Sequence, residues 1–164
     1  MADPQRRQAE IRFGRRPGGR HPGTDPSGRG PALWGRQCVL VYSGGSCALV
    51  DCGSANSWYD PGTIAADTLY SMGCGRLEHL VLTHYDTDHI SGVETLLSRI
   101  DVETLVVPGL PDSAAGDALL EAAREQGTQV QILREETVWD LGASTLTVYP
   151  PLGDGESNEA GLSI

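Results

Sequence analysis

The chain has 164 residues, 39% of them hydrophobic, with 22 acidic against 12 basic side chains and a net charge of −10; that length allows one domain with a useful core. No stretch of about 20 apolar residues occurs, which excludes a membrane-spanning helix, and the N-terminal arginines are not followed by the hydrophobic segment of a secretory signal. Charge is unevenly spread: residues 1–36 hold eight Arg against three acidic residues, net +5, whereas residues 37–164 hold four Arg against nineteen, net −15.

In chain order, residues 1–36 are rich in Gly, Pro and Arg and follow neither helical nor strand periodicity, so they read as a disordered basic tail. Such a tail can bind nucleic-acid phosphates. The abrupt change to patterned sequence near Cys38 favours a second reading, that residues 1–36 are not native to the domain and reflect an upstream frame change. The patterned part, residues 37–164, begins with strands at 38–42 and 47–51 joined by Ser43-Gly44-Gly45-Ser46, a glycine turn suited to a hairpin. Pro61 opens a helix over 62–72, in which Ile64, Ala65, Leu69 and Met72 recur at helical spacing before Gly73 stops it.

A strand at 79–83 follows; His79, just before its core, reads as a packed or edge histidine. Then come a helix at 90–99, a strand at 103–107 broken by Pro108-Gly109, a helix at 113–126 capped by Ser113 and stopped by Gly127, and strands at 129–133 and 144–149. That alternation predicts an α/β sheet with right-handed crossovers. Cys38, Cys47, Cys52 and Cys74 have no CxxC spacing, and three fall in or beside strands. They read as buried free thiols of a reducing compartment, which makes a stand-alone form of the chain cytoplasmic.

The segment 83–92, Thr-His-Tyr-Asp-Thr-Asp-His-Ile-Ser-Gly, carries the chemistry. His84, Asp86, Asp88 and His89 place four potential ligands within six residues, on a strand-to-helix loop of the kind where open α/β proteins put their sites. Imidazole with carboxylate suits Zn, Mn or Fe. Alternation turns His84 and Asp86 one way, while Asp88 and His89 can serve a second ion, and two ions about 3.5–4 Å apart activate a water for hydrolysis. Two plainer readings compete: a solvated helix entry capped by Thr87 or Asp88, and a calcium loop, whose Asp/Asn alternation and closing Glu are missing here.

The run His84-x-Asp86-x-Asp88-His89, entered from Val81-Leu82-Thr83 and followed by Gly92, resembles the signature of metallo-β-lactamase-fold metallohydrolases. The variant with Asp at the middle position resembles the C-terminal domain of ComEC-type DNA-internalisation competence proteins. The resemblance implies an αββα sandwich, with His84 and Asp86 on one ion, Asp88 and His89 on the other, and Asp88 also orienting the attacking water. The oxygen-richer first site shifts preference from Zn toward Mn. The Asp51-Cys52-Gly53 stretch matches the family's Asp-x-Gly, which implies that Asp51 supports the ligand loop from behind; a turn residue satisfying backbone amides is the alternative. Asn158 stands where a third ligand histidine occurs elsewhere, with loop capping as the alternative.

The family's later Gly-Asp and final histidine have no counterpart before Ile164. The expectation is therefore the N-terminal half of the sandwich only, with an apolar sheet face left exposed. Two functions remain: a metal-dependent phosphodiesterase or nuclease, and a truncated, inactive fragment or binding module with a partial metal site. A net −15 on the patterned part disfavours general DNA binding, which leaves an anionic small molecule or single-stranded DNA as substrate.

Overall fold

A computed structural model of the chain describes residues 10–12, 36–55, 58–151 and 161–164. Most of the basic segment, and Asn158, lie outside these described residues.

Strands β1 (Glu10–Arg12), β2 (Arg36–Ser43), β3 (Ser46–Ser54), β4 (Arg76–Val81), β5 (Asp101–Val107) and β6 (Gln129–Ile132) form one sheet in that order. The first three pair antiparallel and β3 through β6 pair parallel. Beyond its first residue β3 is buried along its whole length, as a central strand covered on both faces must be. The parallel pairings need crossovers, and these are α1 (Pro61–Ser71) after β3, α2 (Thr87–Ile90) and α3 (Val93–Leu97) after β4, and α4 (Ala114–Glu125) after β5.

Local chemistry sets the helix starts. Asp60 accepts from the Gly62 N–H at 2.9 Å and Pro61 occupies the first turn of α1, while Ser113 accepts from Gly116 N–H at 3.2 Å to start α4. Leu69, Leu96 and Leu120 from three helices share one core with Leu77 and Leu105 of the sheet, so all the crossovers cover the same face.

The opposite face departs from expectation. Instead of being exposed, Ala48, Val81 and Val106 are fully buried beneath a second, two-stranded sheet formed by β7 (Thr137–Leu141) and β8 (Ser144–Val148). Leu141, Leu146 and Val148 supply the covering layer, joined by Leu162. Strand β7 carries the charged Asp140 and the exposed Val138 within a short segment, so its period-2 signal is weak.

Other departures are local. The single helix expected over 90–99 is two short ones broken at Ser91–Gly92, because Gly92 N–H is drawn to the Cys52 carbonyl at 2.8 Å. Within the basic segment, Glu10–Arg12 runs as strand β1 beside β2, paired through backbone groups that composition does not report. His79 lies inside β4 with its ring 4.6 Å from that of Trp139, and burial pulls its pKa down from the usual histidine value.

The cysteines also depart from the reading of four free thiols. Cys47 and Cys74 are joined in a buried disulfide across 27 residues of chain, tying the start of β3 to the segment between α1 and β4; that adjacency is tertiary and leaves no spacing motif. Cys38 and Cys52 remain thiols. A hydrogen bond between them holds Cys38 below the ordinary thiol range, and the same bond together with burial pushes Cys52 up.

Protein purified without reductant and unfolded in urea should therefore titrate two thiols per chain rather than four. Replacing Cys47 and Cys74 together with Ser should lower unfolding stability by roughly 3–4 kcal/mol, the loop-closure value for a loop of this length, read as a lower urea midpoint; four titratable thiols in the oxidised protein would contradict the bridge.

Candidate metal centre

Strand β4 ends at Val81, and Leu82 N–H bonds the Val106 carbonyl at 2.9 Å, so the chain leaves the sheet at the carboxyl ends of its parallel strands. Thr83 is the first residue of the loop and its organising point. Its N–H donates to Asp51 Oδ1 at 2.8 Å and its hydroxyl donates to Asp51 Oδ2 at 2.7 Å. The same Oδ2 lies 2.9 Å from His89 Nδ1, and Thr83 Oγ1 lies 3.0 Å from His84 Nδ1 and 3.0 Å from His89 Nδ1.

These contacts fix both tautomers. A carboxylate only accepts, so His89 carries its proton on Nδ1 and donates it to Asp51. The Thr83 hydroxyl spends its single proton on Asp51, so toward His84 it can only accept, and His84 likewise carries its proton on Nδ1. Both Nε2 atoms are left with free lone pairs, on rings whose centroids are 5.0 Å apart. His84 Nε2 is buried without a hydrogen-bond partner among the described residues, whereas buried ring nitrogens ordinarily have one.

The carboxylates stand differently. Asp88 Oδ2 is 3.9 Å from His89 Nε2. Asp86 is exposed and holds the N-cap position of α2 in extended conformation, yet makes no side-chain capping bond; its oxygens remain available for another cation. The capping alternative thus has no hydrogen bond in its favour among the described residues. No three or more His, Cys, Asp or Glu side chains among the described residues already stand together as a ligand cluster. The two histidines are brought side by side with Asp88 next to His89, and Asp86 stands apart at the loop's outer edge.

The loop is clamped from several sides. Gly53 packs so closely against the backbone of Asp88 and His89 that a Cβ there would overlap the Asp88 carbonyl, and a Cβ on Gly161 would overlap the His84 ring. Leu162 N–H bonds the Thr83 carbonyl at 3.1 Å, and Ser163 pairs with Tyr149 as a short bridge, which keeps Gly161 over His84. Tyr85 turns the other way: its hydroxyl donates to the Gly109 carbonyl at 2.8 Å, and burial pushes its pKa up to about 12. Asp51 is 5% exposed and has φ 54°, a left-handed conformation that a non-glycine residue holds at a cost of order 1–3 kcal/mol. Thr83, Tyr85 and Gly161 went unassigned in the sequence; only the position of Thr83 directly before the first ligand hinted at its role.

A model of the metallo-beta-lactamase superfamily matches residues 32–161 of the chain. ComE operon protein 3 of Bacillus subtilis is 37% identical over 84 residues, which cover 51% of this chain and 11% of that relative; the chain thus spans about a tenth of its length. Among solved structures, a metallo-beta-lactamase with a HARLDQ motif from Cronobacter sakazakii is 16% identical with a TM-score of 0.47, covering 71% of this chain and 44% of that one. The metallo-beta-lactamase fold protein YhfI of Bacillus subtilis is 22% identical with a TM-score of 0.43, covering 73% and 46% respectively.

The Gly53 contact is directly testable. Replacing Gly53 with Ala should cost about 1–3 kcal/mol of stability, as overpacking does when backbone must move, seen as a lower urea midpoint; an unchanged midpoint would show that β3 and the ligand loop can separate freely.

Proposed function

Because the chain belongs to the metallo-beta-lactamase superfamily, we propose that it is a metal-dependent hydrolase acting on phosphodiester bonds. The observation that carries this reading is the pair of imidazoles, His84 and His89, each tied through Nδ1 and each presenting a free Nε2. A histidine oriented through its far nitrogen by a carboxylate or hydroxyl is the arrangement metal ligands adopt, and the buried His84 Nε2 has no hydrogen-bond partner among the described residues. Gly161 packs directly against that atom, so an ion there requires the Gly161 segment to give way. In donor type, imidazole with carboxylate suits a divalent ion.

His84 and Asp86 would hold one ion and Asp88 and His89 a second, zinc or manganese, with manganese favoured at the oxygen-richer first position. Such ions supply positive charge that makes a water nucleophilic near neutral pH and offsets charge developing on a phosphoryl oxygen. The residues do the rest. Asp88, partly exposed at the mouth of the loop, orients the attacking water and receives its proton. Asp51 and Thr83 keep both imidazoles in the tautomer that leaves Nε2 open. Asn158 is proposed as a further polar contact to the first site. The competence-type relative supports a nucleic-acid substrate, and the acidic surface supports a single strand or small anion over a duplex. The Cys47–Cys74 disulfide supports a compartment where such bridges persist, in place of the reducing cytoplasm expected from the sequence.

A second reading has one observation in its favour, the absence among the described residues of a preformed cluster of three ligands. It holds that the chain binds metal weakly through a partial site and does not turn over.

Metal content and turnover of protein reconstituted with Zn or Mn separate the two. The hydrolase reading expects near-stoichiometric metal and cleavage of bis-p-nitrophenyl phosphate; the second expects substoichiometric metal and no cleavage. Asp88→Asn should lower the rate by about 10²–10⁴ with little change in the far-UV spectrum, and full activity in that variant would remove Asp88 from the chemistry.

Asp51→Asn should weaken metal affinity about 10–100-fold, measured by competition with a chelating indicator. Unchanged affinity would mean that the Asp51–His89 contact serves folding alone.

A further inference from the structure

Four arginine side chains fall in the well-described part of the chain, and three have carboxylate partners: Arg76 with Glu103 at 2.6 Å, Arg99 with Asp67 at 2.7 Å and Arg124 with Glu121 at 3.5 Å. The fourth, Arg134, is exposed and has no acidic partner among the described residues. Its location, rather than its pairing, gives it a use.

Arg134 lines an open cleft of about 420 Å³ between Pro108-Gly109-Leu110 after β5, Ile132-Leu133 at the end of β6, and Pro150-Pro151 after β8. These are the carboxyl ends of the same parallel strands that carry the ligand loop at the end of β4. Neighbouring strands lie about 4.8 Å apart, so the cleft begins one to two strand spacings, roughly 5–10 Å, from that loop. Both walls are fastened to it: Gly109 by the Tyr85 hydroxyl, and the Pro150-Pro151 side by the Tyr149–Ser163 bridge, next to the Leu162–Thr83 bond. Apart from Arg134 the lining is apolar side chain and backbone, and Leu110 is 75% exposed.

We propose that this cleft is a substrate subsite in which Arg134 binds a phosphate of single-stranded DNA flanking the scissile one, while the apolar lining contacts the bared base. The inference rests on the phosphodiesterase reading and specifies how that substrate is held. A guanidinium offers two parallel N–H donors to a phosphate. A single strand exposes base faces for apolar contact, which a duplex does not. Within residues 37–164, net −15, the remaining surface is acidic and repels the backbone.

The test measures binding apart from turnover. A fluorescent phosphorothioate oligothymidylate, resistant to cleavage, is titrated against zinc-loaded protein at several salt concentrations. Arg134→Gln should weaken binding about tenfold and reduce the slope of log affinity against log salt by about 0.7, the single-strand value for one phosphate contact. Arg134→Lys should recover most of the slope and part of the affinity, and Arg124→Gln, in which the lost cation already had a partner, should change neither. In turnover, Arg134→Gln should raise KM for an oligonucleotide and leave bis-p-nitrophenyl phosphate, which has no flanking phosphate, unaffected. Wild-type affinity and salt slope in Arg134→Gln would overturn the subsite. Arg134-dependent binding by a protein that cleaves neither substrate would uphold the subsite while removing the hydrolase reading.

Discussion

The buried carboxylate of Asp51 is the interaction on which the arrangement of the ligand loop depends. It accepts from a backbone N–H, a hydroxyl and an imidazole at once, and through Thr83 it reaches the second imidazole as well. A carboxylate 5% exposed is costly to desolvate unless its lone pairs are filled, and here both oxygens are engaged. The left-handed backbone at Asp51 is tolerated for the same reason: the bonds made from that conformation hold the end of β3 against the start of the loop. Removing the carboxylate would leave Thr83 N–H without its acceptor and both rings free to turn over.

The sheet's architecture determines what can approach this point. With every crossover on one face and the β7–β8 hairpin on the other, both faces of the parallel strands are covered among the described residues. Their carboxyl edge carries the 83–92 loop, the Pro108–Leu110 turn and the end of β6, the edge at which open α/β sheets generally place ligands. The hairpin has a second consequence. The Tyr149–Ser163 bridge holds Gly161 against His84 Nε2, while His89 and Asp88 are half-buried beside it.

Much of this was legible in the sequence, for identifiable reasons. The loop after β4 could be placed because the apolar run at Leu80-Val81-Leu82 reads as a strand end, and the β2–β3 hairpin, α1 and α4 because turn glycines, Pro61 and Ser113 act locally. What escaped depended on contacts distant in the chain. Ile90 to Arg99 has the composition of one helix, and only the approach of Gly92 to Cys52 breaks it. The Cys47–Cys74 bridge joins residues whose proximity follows from α1 lying along the sheet. The cover of β7 and β8 over Val81 and Val106 could not be inferred from a segment whose outward residues are as polar as those of a loop. Within the site, the ligand types were visible, whereas the hub at Thr83 was not, because a threonine before a histidine has no signature until Asp51 is folded beneath it.

Charge imposes the last constraint. A segment of net −15 that offers four acidic or imidazole ligands in one loop is poorly suited, by itself, to hold an anion, and the scale of surface repulsion at physiological salt extends about one Debye length, near 8 Å. Two divalent ions in the proposed site would reverse the sign within that distance of the loop, and beyond it a fixed cation would be needed. Three of the four arginines cannot, being already neutralised at the surface. The fourth, Arg134, lines the cleft with Pro108-Gly109-Leu110, where the proposed subsite would place a cation beyond the 83–92 loop. A subsite of this kind would favour an extended anion whose charge follows the carboxyl edge over a duplex that must lay charge across the acidic face.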